Sequence, residues 1–130
     1  MEIRTRLGLL LTCAALLGAG PAAAQGKTPA APAAAPAPET IARGDTLFHK
    51  SGLCFACHGT NAQGGVGPNL TDADWIHGDG SLEMIVATVT KGIPKEAAKT
   101  KVAMPPKGGS SISDEEVKAV AAYVWSLSHK

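Results

Sequence analysis

Aromatic side chains are almost missing from this sequence: two Phe, two Trp and one Tyr stand among 130 residues. Much of the 45% apolar content is alanine, which fills little volume. A core built from such residues is thin, and a domain of this size usually needs a staple. Excess charge of one sign is missing too, with 12 Lys and Arg against 11 Asp and Glu. That excludes a chain-wide basic surface for nucleic acid and an acidic tail. No strand-period alternation and no internal repeat is present. Apolar runs are short. The best, LGLLLTCAALLGAG, falls below the ~20 residues of a membrane span and meets Gly20 and Pro21.

Cysteine is scarce, with three residues, Cys13, Cys54 and Cys57. Cys13 lies in a segment with the pattern of a secretory signal peptide. Arg4 and Arg6 precede the apolar run, and Ala22 and Ala24 precede Gln25. Cleavage is expected after Ala24, so residues 1–24 are a signal peptide; an uncleaved anchor helix is the alternative, and only then would the chain meet a membrane. Removing Glu2, Arg4 and Arg6 leaves ten basic and ten acidic side chains, and Cys54 and Cys57 as the sole thiols, outside the cytoplasm. Residues 25–39, rich in Ala and Pro, form an extended linker with no capacity for a core.

A folded domain is expected over residues 40–130. TIARGDTLFHK predicts a helix with Ile41, Gly44 and Phe48 on one face, and SLEMIVATVTKG a second helix closed by Gly92 and Pro94. SDEEVKAVAAYVWSLS predicts a third, with Ser113 and Glu116 as a capping box and Val117, Val120, Val124 and Leu127 as an apolar stripe. Long glycine-rich connections join them, and long loops in a small domain usually carry function.

One of those connections follows the stretch GLCFACHG. Three chemistries use a C-x-x-C. A redox disulfide needs a thiol of lowered pKa, normally after a strand in a βαβ unit, and no such unit is present. A zinc site needs four ligands, and no second ligand pair follows; His49, His77 and His129 are isolated and read as solvated. Covalent haem attachment uses this order of residues. Two thiols add to the two vinyl groups of one haem, and the histidine next in sequence meets the iron. A second axial ligand has Met84, Met104 and the other histidines as candidates. Met84 sits mid-helix among Leu82, Ile85 and Val86, which suits a core role. Met104 sits in KVAMPPKGG, where Pro105 and Pro106 stiffen the chain beside it. A haem would also supply the missing core, as a large apolar body for short helices to pack around.

With CFACHG, GPNLTDADWIHG, VAMPPKGG and SDEEVKAVAAYVWSLS in view, residues 40–130 resemble a class I c-type cytochrome. Within that class they resemble the haem domain of the third subunit of cbb3-type oxidases and small periplasmic monohaem relatives. The resemblance implies an all-α fold, with three or more short helices and long loops wrapped around one haem c. It implies thioethers at Cys54 and Cys57, His58 as proximal ligand and Met104 as distal ligand. It further implies that Pro68 offers its carbonyl to His58, that Leu70 lines the pocket, and that Gly44 and Phe48 cross the last helix near Tyr123. The oxidase subunit usually carries two haems and a clear membrane helix; this sequence has one C-x-x-C-H.

The expected function is single-electron transfer between redox partners outside the cytoplasm, without catalysis. The alternative is a haem c subunit or tethered domain of a larger membrane-associated oxidoreductase or terminal oxidase. Other classes are a sensor in which Met104 dissociates and a thiol oxidoreductase. Lys91, Lys95, Lys99, Lys101 and Lys107 surround Met104 in sequence, opposed by Glu96 alone. They are expected to form a docking face for an acidic redox partner.

Overall fold

The computed structural model describes residues 34–130. The expected signal peptide, Cys13 and most of the expected linker lie outside the described residues. Four helices follow in order: α1 Pro38–His49, α2 Phe55–His58, α3 Leu82–Lys91 and α4 Asp114–Ser128, with a 3-10 turn at Pro106–Gly109 before α4. No sheet forms among the described residues. A lone antiparallel bridge pairs Ile93 with Met104.

The helix α1 begins at Pro38, two residues before the expected domain start. Proline is tolerated there because the first helical N–H groups have no partner within the helix. Its buried residues are Gly44, Leu47 and Phe48, one face at spacings of three and one. In α4 the capping box is made in full: Glu116 N–H donates to Ser113 Oγ at 3.2 Å, and Ser113 N–H donates to Glu116 Oε2 at 2.8 Å. The predicted stripe is buried at Val117, Val120 and Val124, and small residues Ala119, Ala121 and Ala122 are buried beside it.

Those small residues let α1 lie against α4 at close range. A Cβ on Gly44 would strike the Ala119 carbonyl and come within 2.8 Å of Tyr123 Cβ. The glycine is therefore needed for contact, which outweighs the ~1 kcal/mol it costs within a helix. Phe48, fully buried, meets the Tyr123 ring edge-on at 5.3 Å between centroids. Ser81 caps α3 by accepting the Met84 N–H at 3.3 Å, and Ile85 and Val89 are its buried residues. The helix α3 packs on α4 and on the 3-10 turn. Met84 departs from expectation. It is 41% exposed, and its Cγ and Sδ lie against Gly78, so it is not a core residue. The apolar period of α3 runs through Ile85 and Val89 and turns Met84 outward.

Candidate functional site

The motif Cys54–His58 forms a single helical turn. Cys57 and His58 N–H both donate to the Cys54 carbonyl, at 3.2 and 3.0 Å. The chain that follows folds back onto this turn through its backbone. Gly64 N–H donates to His58 O at 2.7 Å, Gly67 N–H to Cys57 O at 2.8 Å, and Leu70 N–H to Ala62 O at 2.8 Å. This return places the Pro68 carbonyl beside the His58 ring, 2.9 Å from Nδ1. A carbonyl only accepts, so Nδ1 carries the proton and Nε2 keeps its lone pair. Burial holds the His58 proton affinity below the ordinary histidine value, against the opposing pull of the Pro68 carbonyl. The result is a neutral imidazole fixed in one tautomer, which is the form a metal ligand needs. Gly67 completes the cradle: a Cβ there would approach His58 Cε1 to 2.9 Å.

Met104 is held by the bridge. Its N–H donates to Ile93 O at 2.9 Å and its carbonyl accepts from Ile93 N–H at 2.8 Å. This ties the Met104 loop to the end of α3, a pairing that no local pattern announced. The side chain is half-buried against the core.

One apolar cavity of about 1170 Å³, counted with its open mouth, gathers these residues. Cys54, Cys57, His58, Pro68, Leu70 and Met104 all line it. The rest of its wall is largely apolar: Phe48, Trp75, Ile85, Val89, Val120 and Val124. This open cleft, walled by the apolar faces of α3 and α4, suits an apolar group, and the donor set of two thiols, an imidazole and a thioether fits haem c. Trp75, Ile85, Val89 and Ile93 were not foreseen as wall residues. For Ile85 and Val89 the helical period announced burial, but not what they are buried against.

The other chemistries fit poorly. Cys54 and Cys57 are unbridged, Cys54 buried and Cys57 exposed. Burial, with the Cys57 charge adding to it, pushes the Cys54 thiol up to about 11, so it stays protonated and is a poor nucleophile. Among the described residues no three His, Cys, Asp or Glu side chains come together as a metal cluster. Of the remaining histidines, His129 is exposed as expected, while His49 and His77 are partly buried. His77 lines the cavity, and its Nε2 receives the Lys99 N–H at 3.4 Å. His49 binds the Thr60 and Asp45 carbonyls. His129 stacks on Trp125 at 4.2 Å.

The comparisons with known proteins agree with this architecture. The family model for cytochrome C oxidase, cbb3-type, subunit III matches residues 39–124. The CcoP subunit of the cbb3-type cytochrome c oxidase of Rubrivivax gelatinosus is 42% identical over 92 residues, which is 70% of this chain and 27% of that protein. The FixPc subunit of Rhizobium leguminosarum bv. viciae is 38% identical over 91 residues, 68% of this chain and 31% of that protein. The chain thus spans about a third or less of the length of these curated relatives. Among solved structures, cytochrome cL of Methylophaga aminisulfidivorans is alike in fold, with a TM-score of 0.54 at 23% identity over 70% of this chain and 55% of that one. With most of its described length matched by one family model, the chain belongs to the family of cytochrome c oxidase, cbb3-type, subunit III, as a cytochrome c domain.

Proposed function

We propose that this chain is a one-electron haem c domain acting outside the cytoplasm as a subunit or tethered domain of a membrane-associated terminal oxidase. The observation that carries it is His58: a buried, neutral imidazole with Nδ1 committed to Pro68 and Nε2 left free, in the wall of an apolar cavity that also collects both thiols. Cys54 and Cys57 would hold the haem by thioethers, His58 would ligate from Nε2, and Met104 would be the second ligand. His77 is the competing ligand on the cavity wall, but its Nε2 already accepts from the Lys99 backbone. When bound, haem c supplies a ferrous–ferric couple, and a soft thioether favours the reduced form. The chain's own part is to fix the imidazole, exclude water and present the cavity mouth to partners. The proposed role is electron transfer, in which no substrate bond is made or broken. The Ala/Pro stretch 25–39 suits a tether. No helix among the described residues is long and apolar enough to cross a membrane.

The cofactor assignment is tested by intact mass. The chain secreted from a host with haem-attachment machinery is expected to weigh as residues 25–130 plus one haem, with two thioethers. A mass without haem and with a Cys54–Cys57 disulfide overturns the assignment. Association is tested separately: a tagged chain is expected to co-purify in detergent with cytochrome c oxidase activity, and its recovery alone would favour a free carrier.

The proposed docking face combines exposed apolar residues of the cavity with nearby lysines. Leu53, Val66 and Val102 are 48%, 56% and 46% exposed, and all three line the cavity. Lys91, Lys95, Lys99 and Lys101 are exposed in the chain before Met104. Lys107 donates from Nζ to the exposed Asp114 Oδ1 at 2.8 Å, which offsets part of its charge at that face. An acidic redox partner would be steered by these lysines, raising encounter rates by roughly ten- to a thousandfold at low salt. Exchange with such a partner is expected to slow steeply as salt rises, since screening shortens to ~8 Å at physiological ionic strength. Lys99→Glu with Lys101→Glu should flatten that dependence. A rate indifferent to salt and to both substitutions would leave these lysines as solvated surface.

A further inference from the structure

His49 closes α1, and both of its ring nitrogens face oxygen. Nδ1 lies 2.8 Å from the Asp45 carbonyl and 2.9 Å from Asp45 Oδ1. Nε2 lies 2.6 Å from the carbonyl of Thr60. Carbonyl and carboxylate oxygens only accept, whereas a neutral imidazole donates from one nitrogen and presents a lone pair at the other. Only the imidazolium satisfies both ends. Thr60 stands two residues beyond His58, in the chain that folds back to deliver the Pro68 carbonyl. His49 also meets the Phe48 ring edge-on at 5.1 Å, and Phe48 lines the cavity.

We propose that His49 is a positioning residue whose proton is linked to the redox state of the haem: as imidazolium it donates from both nitrogens, ties the end of α1 to Thr60, and places a positive charge next to the cavity wall. The proposal rests on the haem assignment above. The oxidised centre carries one more positive charge than the reduced one, so it repels a neighbouring imidazolium more. Reduction, with the electron from the redox partner, therefore raises the proton affinity of His49, and the extra proton comes from solvent; oxidation returns it. Linkage is reciprocal, so protonation of His49 favours the reduced state by the same factor.

The groups facing His49 are few. Asp45 is on its own helix, the Thr60 carbonyl comes from the loop, and the Tyr123 ring comes from α4 at 6.1 Å between centroids; Lys50 follows it in the chain. The Thr60 carbonyl first, then the Asp45 carbonyl, hold the His49 proton affinity above the ordinary value against desolvation, and the Asp45 charge adds to this. A raised affinity sets the sign for stability. The clamp contributes fully below the unfolded-chain value, near ~6.5, and is lost as pH rises through the higher folded value.

The test titrates His49 by NMR in the reduced and the oxidised holoprotein and follows midpoint potential with pH. The expected result is an affinity at least threefold higher in the reduced protein. For one electron that is about 28 mV, at ~59 mV per tenfold. The potential should fall with rising pH between the two His49 values and be flat on either side. His49→Gln can still donate to Thr60 but cannot titrate, and should remove the slope. Asp45→Asn should move the slope to lower pH, which a merely structural role would not do. Equal affinity in both redox states, or a slope unchanged in His49→Gln, overturns the proposal even where haem is bound. A mass without haem overturns the haem assignment and this proposal with it.

Discussion

A chain with Cys54→Ala and Cys57→Ala, made without haem attachment, is expected to show weak helicity and no cooperative melt. The largest fully buried side chains are Phe48, Val117 and Val120, and the other bulky buried residues are the aliphatics Leu47, Ile85, Val89, Ile112 and Val124. Ile85 and Val89 of α3, and Val120 and Val124 of α4, form walls of the cavity. Without a group to fill it, these faces either meet water or collapse onto each other. Apolar area left in water forfeits roughly 25 cal/mol per Å². The whole stability of a small domain is only ~5–15 kcal/mol, so this loss is comparable to all of it. What remains is mainly the crossing of α1 on α4 at Gly44 and Tyr123, since Phe48 itself lines the cavity. One helix pair is too little core to hold the long loops in place. Circular dichroism and calorimetry check this against the haem-loaded wild type, which should melt sharply. A two-state transition in the double variant would show that the polypeptide core suffices.

Met104→Ala is expected to abolish the weak sulfur-to-iron charge-transfer band of the oxidised protein and to lower the midpoint potential. The drop should be on the order of 0.1 V, a modest part of the ~0.8 V that axial ligands span. The soft thioether is replaced by water or a harder ligand, and the reduced iron loses its preferred partner. The fold should survive, because the Ile93–Met104 bridge is made by backbone alone. Met84→Leu is the matched control. Met84 is exposed and does not line the cavity, so the band and the potential should be unchanged. Loss of the band in Met84→Leu and its retention in Met104→Ala would reverse the ligand assignment.

Much of this was legible along the chain because it is local. The capping box at Ser113 and Glu116, the stripe through Val117, Val120 and Val124, and the Cys54–Cys57–His58 turn each depend on residues a few positions apart. The six residues singled out for the site do line one cavity. The local pattern misled where exposure depends on what packs from afar. Met84 has apolar neighbours yet faces outward, and Lys107 counted as a free charge until Asp114 met it. His77 looked isolated, but a loop 22 residues on brings the Lys99 N–H to its ring.

Residue types at short spacing determine the Cys54–His58 turn, the helices and their apolar faces, because a hydrogen-bonded turn and a 3.6-residue period are properties of the chain itself. Only the tertiary structure decided that Met104 is pinned by Ile93, that Gly67 admits the His58 ring, and that His49 holds Thr60 with both nitrogens engaged. These are contacts across loops, between residues nine to eleven positions apart. Their geometry is set by how α1 and α3 close on α4, and loop closure of that kind leaves no period in the sequence to read.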